Sequence, residues 1–553
     1  MTRFPLRLGA LAAGLGLLTT AGGCAPDGYD EDVDDTENGV VQLSYVGQRV
    51  VDTLSSGAFP SWKGRTWDVS SGNELSAGWL VATPPPELWS NPAAISVDTE
   101  CTGPEPGCDL DFHMWRCSSD AECVSGRCGP LEATVVADGQ APATMCLGHS
   151  DRFEDEVYRA IVSAQSYVDI SGLWQPTGRF VPAIRNALRR LATYDRPVTV
   201  RILSANGFTD GPLAKKHTSQ LLSTLTSGLP DSAKLSIYVA KHSASFTSWD
   251  HAKIVAVDGR FALVGGHNLN TEDYQLEHPV LDLSMRLTGP AAVDAHRFAS
   301  ELWGVACQGG PAKGLVTWPA GLGSCPKPFE GAQSSKKTGV AVISAGRLGA
   351  MKDNASDAAL LAMVDAAKHT VLLSQQDLLA GRIVGEIAIA GPPKPLLDRL
   401  AAAIGRGVEV YLVMSNTDGG FFGASYSNDW TAEQTAEKIG QYMATRTDLF
   451  PAGTDVVGQL CQKLHVTSIR LGAADTWPDG HIFANHAKFV MVDAQAFYIG
   501  SQNLYPADLA EYGFIIDSAD AAKQVLSSYW TPLWNSSKRV AVCGSEAAAC
   551  ALR

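Results

Sequence analysis

One 19-residue segment of this chain occurs twice, and this repetition is the strongest constraint on the fold. The chain reads HAKIVAVDGRFALVGGHNL from His251 and HAKFVMVDAQAFYIGSQNL from His486, with nine of the 19 positions identical. In each copy two apolar runs of strand length flank a short turn, a pattern typical of a β-hairpin. A duplicated scaffold needs only the apolar pattern, whereas here His, Lys, Asp and Asn also stay in register. The repeat therefore predicts two equivalent half-sites.

Strand and helix patterns alternate ahead of each copy, beginning at Asp151 in the first half and near residue 358 in the second. Such alternation indicates α/β lobes built on mainly parallel sheets covered by helices. We expect a first lobe over 151–330 and a second over 340–553, pseudo-repeated and packed face to face. A chain of 553 residues is long enough for several full-sized cores.

The segment from Met1 to Cys24 has the order of an export signal. Arg3 and Arg7 precede the apolar stretch from Leu8 to Leu18, and small residues lead directly to Cys24. This order resembles a bacterial lipoprotein signal, so we expect an exported protein, lipid-anchored through Cys24 at the cell envelope, on the outer membrane or cell surface. Ordinary cleavage nearby, with Cys24 unmodified, is the alternative. Residues 25–40 are acidic and poor in apolar side chains, which predicts a solvated tether.

Residues 41–150 form an N-terminal region that contains a small cysteine-rich module. A dense, even set of cysteines in an exported chain favours disulfides over zinc, because the paired CxxC pattern of zinc sites is missing. The six cysteines are Cys101, Cys108, Cys117, Cys123, Cys128 and Cys146. Their pairing stays open, and Cys307 with Cys325 is a plausible local pair further on.

Three polar groups meet at the open end of each predicted hairpin. His251 and Lys253 are two residues apart and so share one face of a strand, and the returning strand brings Asn268 beside them. The second copy supplies His486, Lys488 and Asn503. Asp258 lies seven residues beyond His251, about 23 Å along a strand, so we interpret Asp258 and Asp493 as turn-stabilising residues.

Duplicated His, Lys and Asn suit chemistry on a phosphodiester. Two lysines can stabilise the extra negative charge of a five-coordinate phosphorus. One histidine can attack phosphorus while the other protonates the leaving alcohol, after which water or a second alcohol releases the phosphohistidine. This scheme needs no metal and no cofactor, and it requires both copies to meet at one phosphate.

The pattern His-x-Lys-x4-Asp followed by Gly-(Gly/Ser)-x-Asn, present twice, resembles the HKD motifs of the phospholipase D superfamily, in which cardiolipin synthases are found. The resemblance implies that the two half-sites form one active site between two α/β lobes. The glycine-containing parts of the motifs are Gly265, Gly266, Gly500 and Ser501. Gly266 departs from the serine of many members, which implies that one hydroxyl contact to phosphate is missing.

The same resemblance implies that an acidic residue downstream in each copy orients its histidine. Asp282 fits this place in the first copy and Glu511 fits it in the second, although the interval from histidine to acid is shorter in the second copy. Family precedent favours His251 as the nucleophile.

Charge and aromatic residues bear on the substrate. A net charge of −15 disfavours a polyanionic partner, because nucleic-acid binding depends on neutralising phosphates. A loop of the longer second copy carries aromatic residues that could touch lipid or pack on themselves as a lid, and a second aromatic cluster precedes the first motif. These residues are Phe421, Phe422, Tyr426 and Trp430, with Phe246 and Trp249.

These observations favour a monomeric enzyme that hydrolyses phospholipid head groups or transfers phosphatidyl groups, held at a membrane by its lipid anchor. Two alternatives remain: an exported endonuclease that uses the same half-sites, and a surface binding protein that uses the repeat as a scaffold.

Overall fold

The computed structural model of the protein describes residues 42–543 apart from short gaps. The residues outside it are 1–41, 207–212, 246–247, 309–312, 324, 333–337, 350–353, 379–382, 385–386, 389–393, 418–425, 429, 506 and 544–553. The export signal with Cys24, the acidic tether, and Phe246, Phe421 and Phe422 therefore lie outside the described residues.

The described helices and strands alternate along most of the chain. The helices are α1 (Tyr45–Leu54), α2 (Phe153–Val162), α3 (Phe180–Ala192), α4 (Ala214–Thr226), α5 (Ala291–Gln308), α6 (Ala355–Ala366), α7 (Lys394–Gly405), α8 (Ala432–Thr445), α9 (Val456–Lys463), α10 (Ala519–Val525) and α11 (Thr531–Ser537). The strands are β1 (Trp67–Asn73), β2 (Leu80–Thr83), β3 (Cys108–Asp109), β4 (Met114–Trp115), β5 (Cys128–Leu131), β6 (Ala143–Cys146), β7 (Tyr167–Gly172), β8 (Val198–Ala205), β9 (Leu235–His242), β10 (Ile254–Val257), β11 (Phe261–Gly265), β12 (Asp282–Thr288), β13 (Val316–Trp318), β14 (Val340–Arg347), β15 (Thr370–Ser374), β16 (Ile383–Val384), β17 (Ile387–Ala388), β18 (Glu409–Met414), β19 (Leu464–Ser468), β20 (Phe489–Val492), β21 (Ala496–Gly500) and β22 (Glu511–Asp517). Among the helices that the structure describes, none combines the length and apolar character needed to cross a bilayer.

Each lobe is built on one eight-stranded sheet. The first has the order β13-β9-β8-β7-β10-β11-β12-β2, and the second has the order β19-β18-β15-β20-β21-β22-β14-β1. Only β7-β8-β9 and β15-β18-β19 run parallel, and every other neighbouring pair is antiparallel. The prediction of mainly parallel sheets is therefore wrong. The motif hairpin joins the same sheet as the strand–helix units, and its short turn permits only antiparallel pairing.

The two sheets face each other, as the sequence predicts for two α/β lobes. Side chains alternate along β10, so that Ile254 and Ala256 belong to one buried cluster together with Phe489 and Met491 of β20. Val255 points to the opposite side, into the cluster that β10 shares with α2 and α3. Strands β11 and β12 contact β21 directly. The open ends of both hairpins consequently reach the same junction.

The N-terminal region is less separate than the boundary at residue 150 predicts. Strand β1 adds an edge to the second-lobe sheet, with Trp67 opposite Ala345. Strand β2 adds an edge to the first-lobe sheet, with Thr83 opposite Asp282. Residues 45–83 thus belong to the body of the protein, and the cysteine-rich module is confined to the residues that follow.

Disulfides hold the cysteine-rich module, which confirms their prediction over a zinc site. The pairs are Cys101–Cys108, Cys117–Cys128 and Cys123–Cys146. The predicted local pair Cys307–Cys325 is also present and ties the last turn of α5 to the segment that follows β13.

Candidate active site

The motif hairpins are fixed at their turns by the two aspartates of the repeat. Asp258 and Asp493 both adopt left-handed backbone conformations, with φ of 53° and 54°. The Asp258 carboxylate accepts hydrogen bonds from three successive backbone N–H groups at the start of β7, and Asp493 does the same at the start of β15. Both lie at the opposite end of the hairpin from the histidines, so their contacts are those of turn-anchoring residues.

Each motif histidine is paired with a carboxylate from the other lobe. Nδ1 of His251 lies 2.8 Å from Oε2 of Glu511, and Nδ1 of His486 lies 2.7 Å from Oδ2 of Asp282. The prediction that each acid orients the histidine of its own copy is wrong, because the structure exchanges the two acids. The exchange arises because each acid begins a strand, β12 or β22, that faces the opposite lobe across the junction.

Backbone contacts support the same exchange. The His251 N–H donates to the carbonyl of Ala510 at 2.8 Å, and the His486 N–H donates to the carbonyl of Leu281 at 2.7 Å. Ala510 and Leu281 directly precede the two acids in the sequence. Each histidine is therefore docked by main chain and side chain to one short segment of the opposite lobe.

The two imidazoles face each other across the junction. Their ring centroids are 6.4 Å apart, with an interplanar angle of 77°. Burial lowers the pKa of His251 to about 4 and lowers that of His486 well below its ordinary value, so both rings are neutral near pH 7. A carboxylate at Nδ1 keeps the ring proton there, which leaves the Nε2 lone pair of each ring available for chemistry.

The two motif lysines flank the histidines and are buried with them. Nζ of Lys253 donates to the carbonyl of His251 at 2.8 Å, and Nζ of Lys488 donates to the carbonyl of His486. Burial lowers the pKa of Lys253 to about 8 and that of Lys488 to about 7. Removing water makes the ammonium form costly, so an anionic ligand between the lysines would be strongly favoured.

The motif asparagines leave polar atoms unused. Asn268 donates through Nδ2 to the hydroxyl of Tyr426 at 3.1 Å, but its Oδ1 has no partner among the described residues. Neither side-chain polar atom of Asn503 has a partner within the described part of the chain. Buried polar atoms without partners are costly, and a ligand that contacts them removes that cost.

Tyr426 belongs to the aromatic loop of the second copy but lies inside the site. Its ring centroid is 4.2 Å from that of His486, and its hydroxyl donates to Asp273 at 2.5 Å. For Tyr426 the structure shows a contact with the site itself, and for the loop as a whole the choice between a lipid contact and a lid stays a prediction, since Phe421 and Phe422 lie outside the described residues. Trp430 is half-buried and packs near Lys438. Trp249 is also half-buried.

The first glycine of each motif is required by close packing between strands. A Cβ at Gly265 would lie 2.3 Å from Cα of Ser284, and one at Gly500 would lie 2.6 Å from Cα of Gly513. Backbone cannot yield at such distances, so any side chain would separate the hairpin from the strand that carries the acid.

The second motif position differs between the copies for a physical reason. The Ser501 hydroxyl donates to Oε2 of Glu511 at 2.6 Å. A Cβ at Gly266 would lie only 2.0 Å from Oδ1 of Asp282, so a serine there would have to displace this carboxylate. The Tyr274 hydroxyl takes over this contact and donates to Asp282 at 2.9 Å. Tyr274 thus makes with Asp282 the contact that Ser501 makes with Glu511 in the second copy.

We expect Gly266→Ser to lower kcat/KM by about 100-fold, because the new side chain must displace the carboxylate that orients His486. The steady-state rate on a soluble phosphodiester measures the loss, with Gly304→Ser in the exposed part of α5 as the control, since a Cβ there meets nothing within 4 Å. Unchanged activity in Gly266→Ser would show that the position of Asp282 is not critical.

Sequence reasoning missed a buried polar residue directly before each histidine. Asp250 accepts from the Ser171 hydroxyl at 2.6 Å and from the Ala252 N–H at 3.0 Å. In the second copy Asn485 accepts from the Ala487 N–H at 3.1 Å. Burial raises the pKa of Asp250 to about 8, so at neutral pH it is mainly a neutral acid that resembles the amide of Asn485. The polar character shared by 250 and 485 is the signal that could have revealed them.

Among the described residues, the groupings able to hold a metal include neither His251 nor His486. Two of these groupings consist of cysteines already engaged in disulfides, with Asp98 in one of them. The third consists of His278, Asp479 and His481.

The chain is similar to known proteins over most of its length. The family described as "Cardiolipin synthase, PLD-like domain" matches residues 360–531. A phospholipase D of Streptomyces antibioticus is 30% identical over 445 aligned residues, covering 70% of this chain and 78% of that protein. Among solved structures, phosphatidylserine synthase of Haemophilus influenzae Rd KW20 is 14% identical, with a TM-score of 0.45 over 70% of this chain and 84% of that one. Polyphosphate kinase of Porphyromonas gingivalis is 12% identical, with a TM-score of 0.38 over 68% of this chain and 47% of that one.

Proposed function

The chain belongs to the phospholipase D superfamily, and we propose that it hydrolyses phospholipid head groups, or transfers the phosphatidyl group to another alcohol, through a phosphohistidine intermediate. The observation that carries this proposal is the pair of buried imidazoles with centroids 6.4 Å apart, each oriented by a carboxylate of the other lobe. The lysines and asparagines of both motifs surround the same junction.

In the first step His251 is the nucleophile. Its ring is neutral, because burial lowers its pKa to about 4, and Glu511 holds the proton on Nδ1. Nε2 attacks phosphorus as the bond from phosphorus to the head-group oxygen breaks, and His486 gives its proton to that oxygen. The negative charge of a bound phosphodiester favours the protonated form of His486 that this step requires.

In the second step the roles of the reacting groups reverse. His486, now neutral, takes a proton from water, and the water oxygen attacks phosphorus as the bond from phosphorus to Nε2 of His251 breaks. Phosphatidic acid leaves, and both histidines return to their starting states. An alcohol in place of water gives a new phosphodiester. Asp282 keeps the His486 ring oriented through both proton transfers.

Lys253 and Lys488 neutralise the charge that grows on the phosphoryl oxygens in both steps. Their lowered pKa values, about 8 and about 7, mean that each ammonium is present at lower pH and is lost as the pH rises through that value. An anionic ligand draws protons back onto both groups. Ligand binding and proton uptake are therefore coupled.

We expect the affinity for a non-cleavable phosphonate analogue of a short-chain phospholipid to be at least about 10-fold weaker at pH 9 than at pH 6, because free Lys488 and Lys253 lose their charge in between. Titration calorimetry in buffers of different ionisation enthalpy should also detect proton uptake at neutral pH. Lys488→Gln should remove the loss of affinity that occurs near pH 7 and leave the loss that occurs near pH 8, which belongs to Lys253. A pH-independent affinity without proton uptake would contradict the proposed role of the lysines.

The proposed function is tested by incubating the purified full-length protein in detergent with phosphatidylcholine and, separately, with single-stranded DNA. We expect choline release, and formation of phosphatidylethanol when ethanol is added, since ethanol competes with water for the phosphohistidine. The surface variant His369→Gln serves as the control, because its side chain is exposed. DNA cleavage with lipid untouched would favour the endonuclease alternative. Turnover of neither substrate would contradict the assignment to phospholipids.

A further inference from the structure

Away from the reacting groups, two histidines and an aspartate form a compact cluster at the lobe junction. Nε2 of His278 and Nδ1 of His481 each lie 2.7 Å from Oδ2 of Asp479. The two imidazoles are stacked, with centroids 4.0 Å apart and an interplanar angle of 22°. One ligand atom from each of the three residues falls within 4.8 Å of the other two.

The composition of this cluster matches the ligand preference of late first-row metal ions. Imidazole nitrogen and carboxylate oxygen bind zinc at about 2.0–2.2 Å, and a site with three protein ligands leaves a fourth position for water. The three side chains are 31%, 47% and 64% exposed, so the fourth position faces solvent. An ion at the centre would replace the protons that now link both rings to one carboxylate oxygen.

The cluster joins the two segments that build the crossed pair of His486 and Asp282. His278 lies four residues before Asp282, and His481 lies five residues before His486. Between them, the Leu281 N–H donates to the carbonyl of Ala484 at 2.9 Å, and the His486 N–H donates to the carbonyl of Leu281. Buried Trp477 underlies the cluster, with its ring centroid 6.1 Å from that of His278.

We propose that His278, Asp479 and His481 bind one zinc-class divalent ion, which ties the two lobes together beside the active site. The ion contacts none of the reacting atoms and takes no part in the phosphoryl transfer proposed above. Its effect is on stability: it holds together the segments that carry a histidine and the acid that orients it. Calcium and magnesium are not expected to bind here, because they prefer sites made of oxygen ligands.

The test adds zinc or cobalt(II) to the chelator-treated, full-length protein. We expect one ion per chain, visible-range cobalt absorption typical of tetrahedral coordination, and a rise of several degrees in the midpoint of thermal unfolding. His481→Gln and His278→Gln should each weaken zinc binding at least about 100-fold and remove the rise in the midpoint. Calcium should neither bind to the cluster nor raise the midpoint of thermal unfolding.

The control variant is His369→Gln, which also replaces an exposed histidine but leaves the cluster intact. Equal zinc affinity in His481→Gln, or octahedral cobalt spectra in the wild type, would overturn the proposal. So would a midpoint of unfolding that zinc leaves unchanged in the wild type. These readouts do not depend on turnover. They would therefore test the metal site even if the protein did not act on phospholipids.

Discussion

His251→Gln is expected to abolish turnover, with a loss of at least about 10⁴-fold in kcat, because His251 is the proposed nucleophile and glutamine cannot form the covalent bond to phosphorus. His486→Gln is expected to lose about 10²–10⁴-fold on phosphatidylcholine, the usual contribution of a general acid and base. Glutamine keeps a polar side chain of similar reach, so the buried carboxylates retain a hydrogen-bond partner.

The two histidine variants are distinguished by the leaving group. With phosphatidyl-p-nitrophenol, the leaving phenolate needs no proton, so His486→Gln should still form the phosphohistidine rapidly. The intermediate should then accumulate, because the base that activates water is missing. Rapid mixing should show a burst of about one p-nitrophenolate per active site in His486→Gln and none in His251→Gln.

A burst in His251→Gln instead would assign the nucleophile to the second copy. Bursts in both variants would show that either histidine can attack phosphorus, and bursts in neither would contradict a covalent intermediate. Acid-quenched protein from the burst phase should carry the phosphatidyl group on a histidine, which mass spectrometry can locate by residue.

The second large effect is expected for the exchanged carboxylates. Asp282→Asn should behave like His486→Gln, although Asp282 lies in the half of the chain that contains His251. Glu511→Gln should instead slow the release of the first p-nitrophenolate, because Glu511 contacts His251, the proposed nucleophile. We expect losses of about 10²–10³-fold on phosphatidylcholine in both, since each amide can leave its imidazole in the wrong tautomer.

A double-mutant cycle measures this pairing directly. The loss of rate in the double variant Asp282→Asn/His486→Gln should be little larger than the loss in either single variant. If the two groups acted independently, the two losses would multiply. Glu272→Gln, an exposed neighbour of the same segment, is the matched control and should retain activity. If Asp282→Asn slows the burst and Glu511→Gln does not, the acids act within their own copies, contrary to the distances in the structure.

Local chemistry in the sequence was enough to predict the hairpins and the residues that converge at the site. The spacing of His251 and Lys253 in an extended segment, and the return of Asn268 across a short turn, follow from the geometry of one hairpin. Repetition of the whole set then requires two such hairpins. The face-to-face arrangement of the lobes is confirmed for the same reason, since each hairpin has an apolar face to bury.

Features that depend on which segments meet across the junction could not be predicted. The motif spacing places an acid downstream of each histidine, but spacing does not tell which lobe the acid faces. Likewise, strand–helix alternation predicted mainly parallel sheets, but it does not tell that the motif hairpins join the same sheets with antiparallel pairing, nor that β1 and β2 add antiparallel edges. Tyr426 was identified as an aromatic loop residue, but its position on His486 depends on the fold of the loop.

The pairing of the N-terminal strands has a consequence for biosynthesis. Strand β2 lies directly against Asp282, Ser44 bonds to Asp517, and His251 depends on Glu511. Contacts of such large sequence separation form late, because closing long loops is entropically costly. A ribosome must therefore complete nearly the whole polypeptide before any of it can cleave a phosphodiester. Nascent chains that end before Glu511 should accordingly lack phosphodiesterase activity, because His251 then has no carboxylate partner.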